Sequence, residues 1–346
     1  LAELRHQILA DGGHVSRNPD VVLEALLDLL PIKQCYLSRR MAVPAELGTT
    51  IDRMLAHVRT MAIAPGTLAR FNGVGAPRVE AVATVLSLET DPGPPASVEP
   101  GPSGYARLEA GGTTVLVDCG RTPPFLHSGL AHAGALSFEL AHGGDSIIVN
   151  AGAPPPRFRK QLGAQARATD SHSTLVLDGQ SSARLVRSPH VERLAGGPAL
   201  TGSETVVASL LGVDGETRLV AQHAGYLGRF GIIHERRLTL DASGSVLEGV
   251  DVLRPPSGAL RLPRDVPLAI HFHLPVEARF QADGPDALLI QPAAGLPWRF
   301  TVSGARCQVE AATDFARSKG PTPTRQIVIR AATPGETTIL WRLERV

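Results

Sequence analysis

The stretch YARLEAGGTTVLVD, residues 105–118, decides the fold. YARLEA (105–110) and TTVLVD (113–118) each run with a two-residue period, and Gly111-Gly112 between them is the composition of a tight hairpin. ALSFELAHGGDSIIVN (135–150) repeats the arrangement around Gly143-Gly144-Asp145. Downstream, STLVLDG, TVVASLLGV, TRLVAQHAG, ERRLTLDASGSVLEGVDVL, LAIHFHL, ALLIQPA, WRFTVSG, QIVIRA and TTILWRL all read as short strands. Many short strands with regular turn signals and almost no helix predict a large antiparallel β-sandwich over 105–346.

Upstream of residue 105 the texture differs. DPGPPASVEPGPSG (91–104) is Pro or Gly at more than half its positions and reads as a linker. Residues 1–90 carry helical spacing. Asn18-Pro19 is a helix start, since Asn caps free amides and Pro suits the first turn. Val22, Leu23, Leu26, Leu27 and Leu30 then form one apolar face, and Pro31 is expected to end or bend that helix. A second helix follows Pro44, with Ile51, Met54, Leu55, Val58 and Ala62 on one side. Leu1, Leu4, Ile8 and Leu9 are already helically spaced with no cap before them, so the chain is expected to open inside a longer helical region.

Composition excludes several function classes. Lys and Arg number 34 against 33 Asp and Glu, for a net charge of +1, so the global basic excess of a nucleic-acid surface is absent. No apolar run is long enough to span a bilayer. Cys35, Cys119 and Cys307 lie far apart and define neither a disulfide framework nor a metal motif. There is no nucleophile elbow, HExxH, phosphate-binding loop or dinucleotide fingerprint. His271 and His273, two apart on a strand, face one side, but two imidazoles do not make a zinc site. Arg157, Arg159, Lys160 and Arg167 cluster around PPPRFRK, either as a solvated loop or as a subsite for an acidic ligand, because guanidinium pairs bidentately with carboxylate or sulfate.

Six segments carry a resemblance: DGGHVSRNP (11–19), LARFNG (68–73), SGYARLEAG (103–111), AHAGALSFEL (131–140), IIVNAGAP (147–154) and RATDSHSTLVLDG (167–179). In this order they resemble the heparinase II/III family of polysaccharide lyases, most closely its alphaproteobacterial-type branch. The resemblance implies the C-terminal part of an α/α toroid followed by a large antiparallel β-sandwich, with further toroid upstream of Leu1. It implies β-elimination at a uronic acid, in which one group neutralises the carboxylate, a base removes the C5 proton and an acid protonates the leaving oxygen.

Carried over residue by residue, the resemblance puts His14, Arg70 and Asn72 on the toroid side of the cleft and His132 on the sandwich side as catalytic candidates. Arg157, Arg159 and Arg167 become candidates for substrate binding. His132, Asn150 and His172 fall on the family's zinc ligands, with Asn150 a weaker neutral oxygen donor where the family has Asp. The family's H-A-H-A-D reads Leu130-Ala131-His132-Ala133-Gly134 here, so one histidine and the aspartate are replaced. Of the tyrosines, Tyr36 lies in the helical segment and reads as helix packing. The expected partner is an acidic polysaccharide, met in the periplasm or cell envelope. The competing expectation is a non-catalytic glycan-binding or envelope protein built on the lyase scaffold.

Overall fold

The computed structural model describes residues 2–89, 93, 96–202, 206–213, 215–256, 265–284 and 286–346. Four helices open the chain: Ala2–Gln7, Pro19–Ser38, Ala45–Met61 and Val79–Leu86. Asn18 caps the second, its side-chain oxygen accepting the Asp20 N–H at 2.9 Å. Pro31, expected to end or bend that helix, does not end it: the helix runs on to Ser38 with Pro31 exposed inside it. A ring on the solvent side displaces no neighbour, and burial of Val22, Leu23, Leu26 and Leu30 fixes the helix before it. Residues 91, 92, 94 and 95 of the Pro/Gly-rich stretch lie outside the described residues, while Val98 bridges Arg107.

The hairpin Tyr105–Ala110/Thr113–Asp118 closes with Ala110 opposite Thr113, and Gly111 and Gly112 take φ of 52° and 80° as a two-residue turn requires. With Phe138–His142 and Asp145–Ile148 it forms a four-stranded antiparallel sheet. This sheet is the middle layer of the molecule. Val115 and Val117 enter the sandwich core, whereas Leu116 enters the helical core beside Tyr105 and Ala141. The two-residue period therefore delivers alternate side chains to two different cores, and every residue of Thr113–Asp118 is buried.

The largest sheet is antiparallel and eight-stranded. Its order is Val206–Val213, Glu216–His223, Ile233–Leu240, Val246–Arg254, Thr337–Arg345, Trp298–Ser303, Ala287–Gln291 and Arg279–Ala282. A further sheet runs Arg306–Asp314, Thr322–Thr333, Val266–His273, Leu175–Leu177. Phe138 stacks on Trp341 at 5.4 Å and Phe272 meets Trp341 edge-on at 4.9 Å, joining all three sheets. Departing from the expectation of almost no helix, the region also holds Arg159–Ala166, Pro189–Ala195 and Leu227–Phe230. No described helix is long and apolar enough to cross a membrane.

Candidate functional site

A cavity of about 380 Å³ lies against the loop Gly129–His132. The helix Arg159–Ala166 supplies Arg159, Lys160, Gly163 and Ala164, and Arg167 follows it. On the opposite wall the hairpin Arg184–Val186/Ala199–Thr201 and the helix Pro189–Ala195 bring Arg187 and Glu192. PPPRFRK is thus a 3-10 turn leading into a helix rather than a loop, with Arg157, Arg159 and Lys160 exposed. Arg167 is structural as well as cationic. Its Nε donates to Ala131 O at 2.6 Å and its Nη2 to Ser128 O at 2.9 Å, and burial together with Arg187 pushes its pKa down to about 10. Arg159, Lys160 and Arg187 have no hydrogen-bond or ion-pair partner among the described residues, so one carboxylate, Glu192, faces several cations.

Other candidates from sequence separate from this cavity. Arg157 donates to Ser318 O at 3.1 Å and lies over the Phe158 ring, outside the lining. His14 is held between Ser16 Oγ at 2.7 Å and Gln7 Oε1 at 3.2 Å; burial and His127 lower its pKa to about 4, and it does not reach the cavity. Arg70 is enclosed by Asp314 at 3.2 Å and the Asn150 carbonyl at 3.3 Å. Its backbone N–H donates to Glu139, whose carboxyl is raised to about 7 by burial, partly offset by Arg70. Asn72, buried with φ of 47°, is a tie. Its Nδ2 donates to Tyr105 Oη at 2.8 Å and Asp118 Oδ2 at 3.1 Å, and its Oδ1 accepts the His132 N–H at 3.2 Å. Arg17 pairs with Asp118, and Tyr105 donates to the Arg17 carbonyl. Tyr36 packs on the helical core.

His132 alone among the catalytic candidates lines the cavity, and it also borders a smaller one of about 20 Å³ shared with Arg17 and Asp118. Its Nδ1 lies 2.9 Å from His172 Nε2, with the rings edge to face, and His172 Nδ1 lies 2.8 Å from Ala168 O. Burial, together with His172 and Arg167, drives the His132 pKa well down. Asn150 is fully buried, its Oδ1 accepting the Ser173 N–H at 2.8 Å and its Nδ2 unpartnered. His271 and His273 do share a face, but each has its own partner, Gln326 Oε1 and Asp170 O. Among the described residues no three His, Cys, Asp or Glu side chains gather to hold a metal ion.

Arg187 escaped the reading of the sequence, because a lone Arg in RLVRSPH carries no local signature and only the hairpin fold turns it toward Arg167. The adjoining helix did leave signals, Ser188-Pro189 at its start and the left-handed Gly196 at its end.

The fold defines a class, and the chain matches the family described as heparinase II/III-like, C-terminal, over residues 92–342. The protein belongs to that family, whose scaffold is that of polysaccharide lyases. It is 31% identical over 361 residues to the FtsZ-localized protein C of Caulobacter vibrioides (strain NA1000 / CB15N), covering 99% of this chain and 60% of that protein. The chain thus spans 60% of that relative's length, and the match supports the alphaproteobacterial branch. Among solved structures, the heparan sulfate lyase HepC of Pedobacter heparinus superposes with a TM-score of 0.74 at 14% identity, over 99% of this chain and 54% of that one. A heparinase III gene product gives 0.75 at 16% identity, over 100% and 53%. These likenesses establish the fold, the helical segment and antiparallel sandwich of the family.

Proposed function

We propose that the cavity beside His132 binds an acidic, uronate-containing saccharide on a lyase scaffold. Carboxylate or sulfate groups meet Arg159, Lys160 and Arg187, while His132 takes a sugar hydroxyl. The observation that carries this is the set of exposed cations, without partners among the described residues, that converge on one concave site, since guanidinium groups pair bidentately with carboxylate or sulfate.

Recognition fits the geometry better than elimination. Abstracting a C5 proton needs a base of adequate strength within reach. Leu130 stands where the family pattern places a histidine, His14 and Arg70 are enclosed by other partners, and burial makes His132 a weak proton acceptor. The enzymatic reading, a carbon–oxygen lyase acting by β-elimination, rests on one observation, that His132 borders the cavity. A uronate polymer is met at the envelope or periplasm, which is the proposed location.

The test is binding and turnover on one panel. The expected outcome is saturable binding of uronate oligosaccharides, little binding of a neutral glucan, and no ultraviolet-absorbing unsaturated product. Product formation that is lost in His132→Ala would establish the lyase instead. Equal binding of the neutral glucan would overturn both readings.

A further inference from the structure

The hydrogen-bond pattern around His132 fixes where its protons sit. The Ala168 carbonyl can only accept, so His172 Nδ1 carries a hydrogen and donates to it. His172 is 1% exposed with no carboxylate on its ring, so its Nε2 is the bare nitrogen of a neutral imidazole. That nitrogen accepts from His132, which therefore carries its hydrogen on Nδ1. His132 Nε2 is then bare as well. It has no partner among the described residues and is absent from the fully enclosed unpartnered atoms, so it is open to the space the residue lines, the larger cavity and the small one beside Arg17 and Asp118. Asn72 and the Arg167 side chain pin the Ala131–His132 peptide, and on the other side of His132 the Ala133 N–H donates to the Arg167 carbonyl.

A zinc ion would demand a different arrangement. Both facing nitrogens would have to turn lone pairs to the metal at roughly 2.0–2.1 Å, with a third protein ligand free to complete the set. The two nitrogens face each other at hydrogen-bond distance, and the third position is the neutral Asn150, whose oxygen already receives the Ser173 N–H. Gly134 fits the same arrangement. A Cβ there would lie 2.9 Å from His172 Cδ2, so the ring occupies the space a side chain would take.

We propose that His172 and His132 form a metal-free, proton-ordered pair that presents the His132 Nε2 lone pair to the cavity as a fixed acceptor for a ligand hydroxyl. His172 is the positioning residue. The pair deepens the saccharide reading, but its own test needs no saccharide, so either can fail while the other stands.

The experiment is nitrogen-15 NMR of the histidine rings in the intact protein, joined to zinc analysis and zinc titration. The expected result is a neutral His132 protonated on Nδ1, assigned by loss of its signals in His132→Ala, and no stoichiometric zinc before or after titration. His172→Gln supplies an amide N–H for Ala168 and an oxygen for His132, so it should keep the Nδ1 hydrogen in place. One equivalent of zinc that is lost in both His132→Ala and His172→Gln would overturn the proposal, as would a proton on His132 Nε2. Should the His172 variant not fold, the tautomer measured in the unsubstituted protein decides alone.

Discussion

Asn72 joins the helical segment to the loop that carries His132, using three hydrogen bonds from one buried side chain. Asn72→Ala leaves Asp118, Tyr105 and the His132 N–H short of a partner, and an Ala at φ of 47° is strained besides. We expect a loss of about 3 kcal/mol in urea denaturation, with weaker saccharide binding as the loop loosens; an unchanged midpoint would contradict the tie. The residue scale also marks the limits of the sequence. Resemblance located His132, Asn150 and His172, and the structure brings the two histidines together. The same resemblance placed His14 with them, yet local bonds to Gln7 and Ser16 hold His14 elsewhere. Arg187 had no motif at all, because its role depends on a contact made only after the chain folds back.

At the scale of elements, patterning was readable where one face is apolar. The Gly-Gly hairpins and the Asn18 cap formed as expected because their chemistry is local. Arg306–Asp314 was missed. RCQVEAATD lies at a sheet edge with its residues mostly half-buried or exposed, and its alternation of Cys307, Val309 and Ala311 with polar residues is carried by small apolar side chains, a weaker signal than the repeated Leu, Ile and Val of the interior strands. Pro31 failed as a helix stop for the complementary reason, since tertiary burial on its neighbours outweighs one lost backbone bond. Pro31→Ala restores the missing N–H at an exposed position, so it should stabilise the protein by about 1–3 kcal/mol without altering binding. A fall in the denaturation midpoint would show that the ring itself is required there.

The whole molecule is layered, with helices, the Tyr105–Ile148 sheet and the two larger sheets of the sandwich sharing buried polar contacts. Several of these are neutral histidines. Burial lowers His273 to about 3, aided by His271, and lowers His57 to about 4 despite Asp11. His223 and His234 are also lowered by burial, in a chain running from Gly225 N–H through both rings to Asp251. A histidine lowered on folding binds its proton more readily in the unfolded chain, so stability is full above about 6.5 and falls as pH drops below it. Each such group adds up to about 1.4 kcal/mol per pH unit to the slope. Glu139, raised to about 7, opposes this by losing stability as pH rises toward 7, but it is one group against several. Denaturation midpoints should therefore decline steadily from pH 6.5 to 4.5, and a flat profile would contradict the buried neutral histidines.

The central claim is that this layered scaffold holds its cationic cavity for an acidic saccharide. Calorimetric titration of a uronate oligosaccharide into paired charge variants tests it most directly. Removing the carboxylate with Glu192→Gln should tighten binding, and reversing the facing cation with Arg187→Glu should weaken it at least tenfold, each more strongly at low salt. Binding that is indifferent to both substitutions would place the saccharide elsewhere and contradict the account.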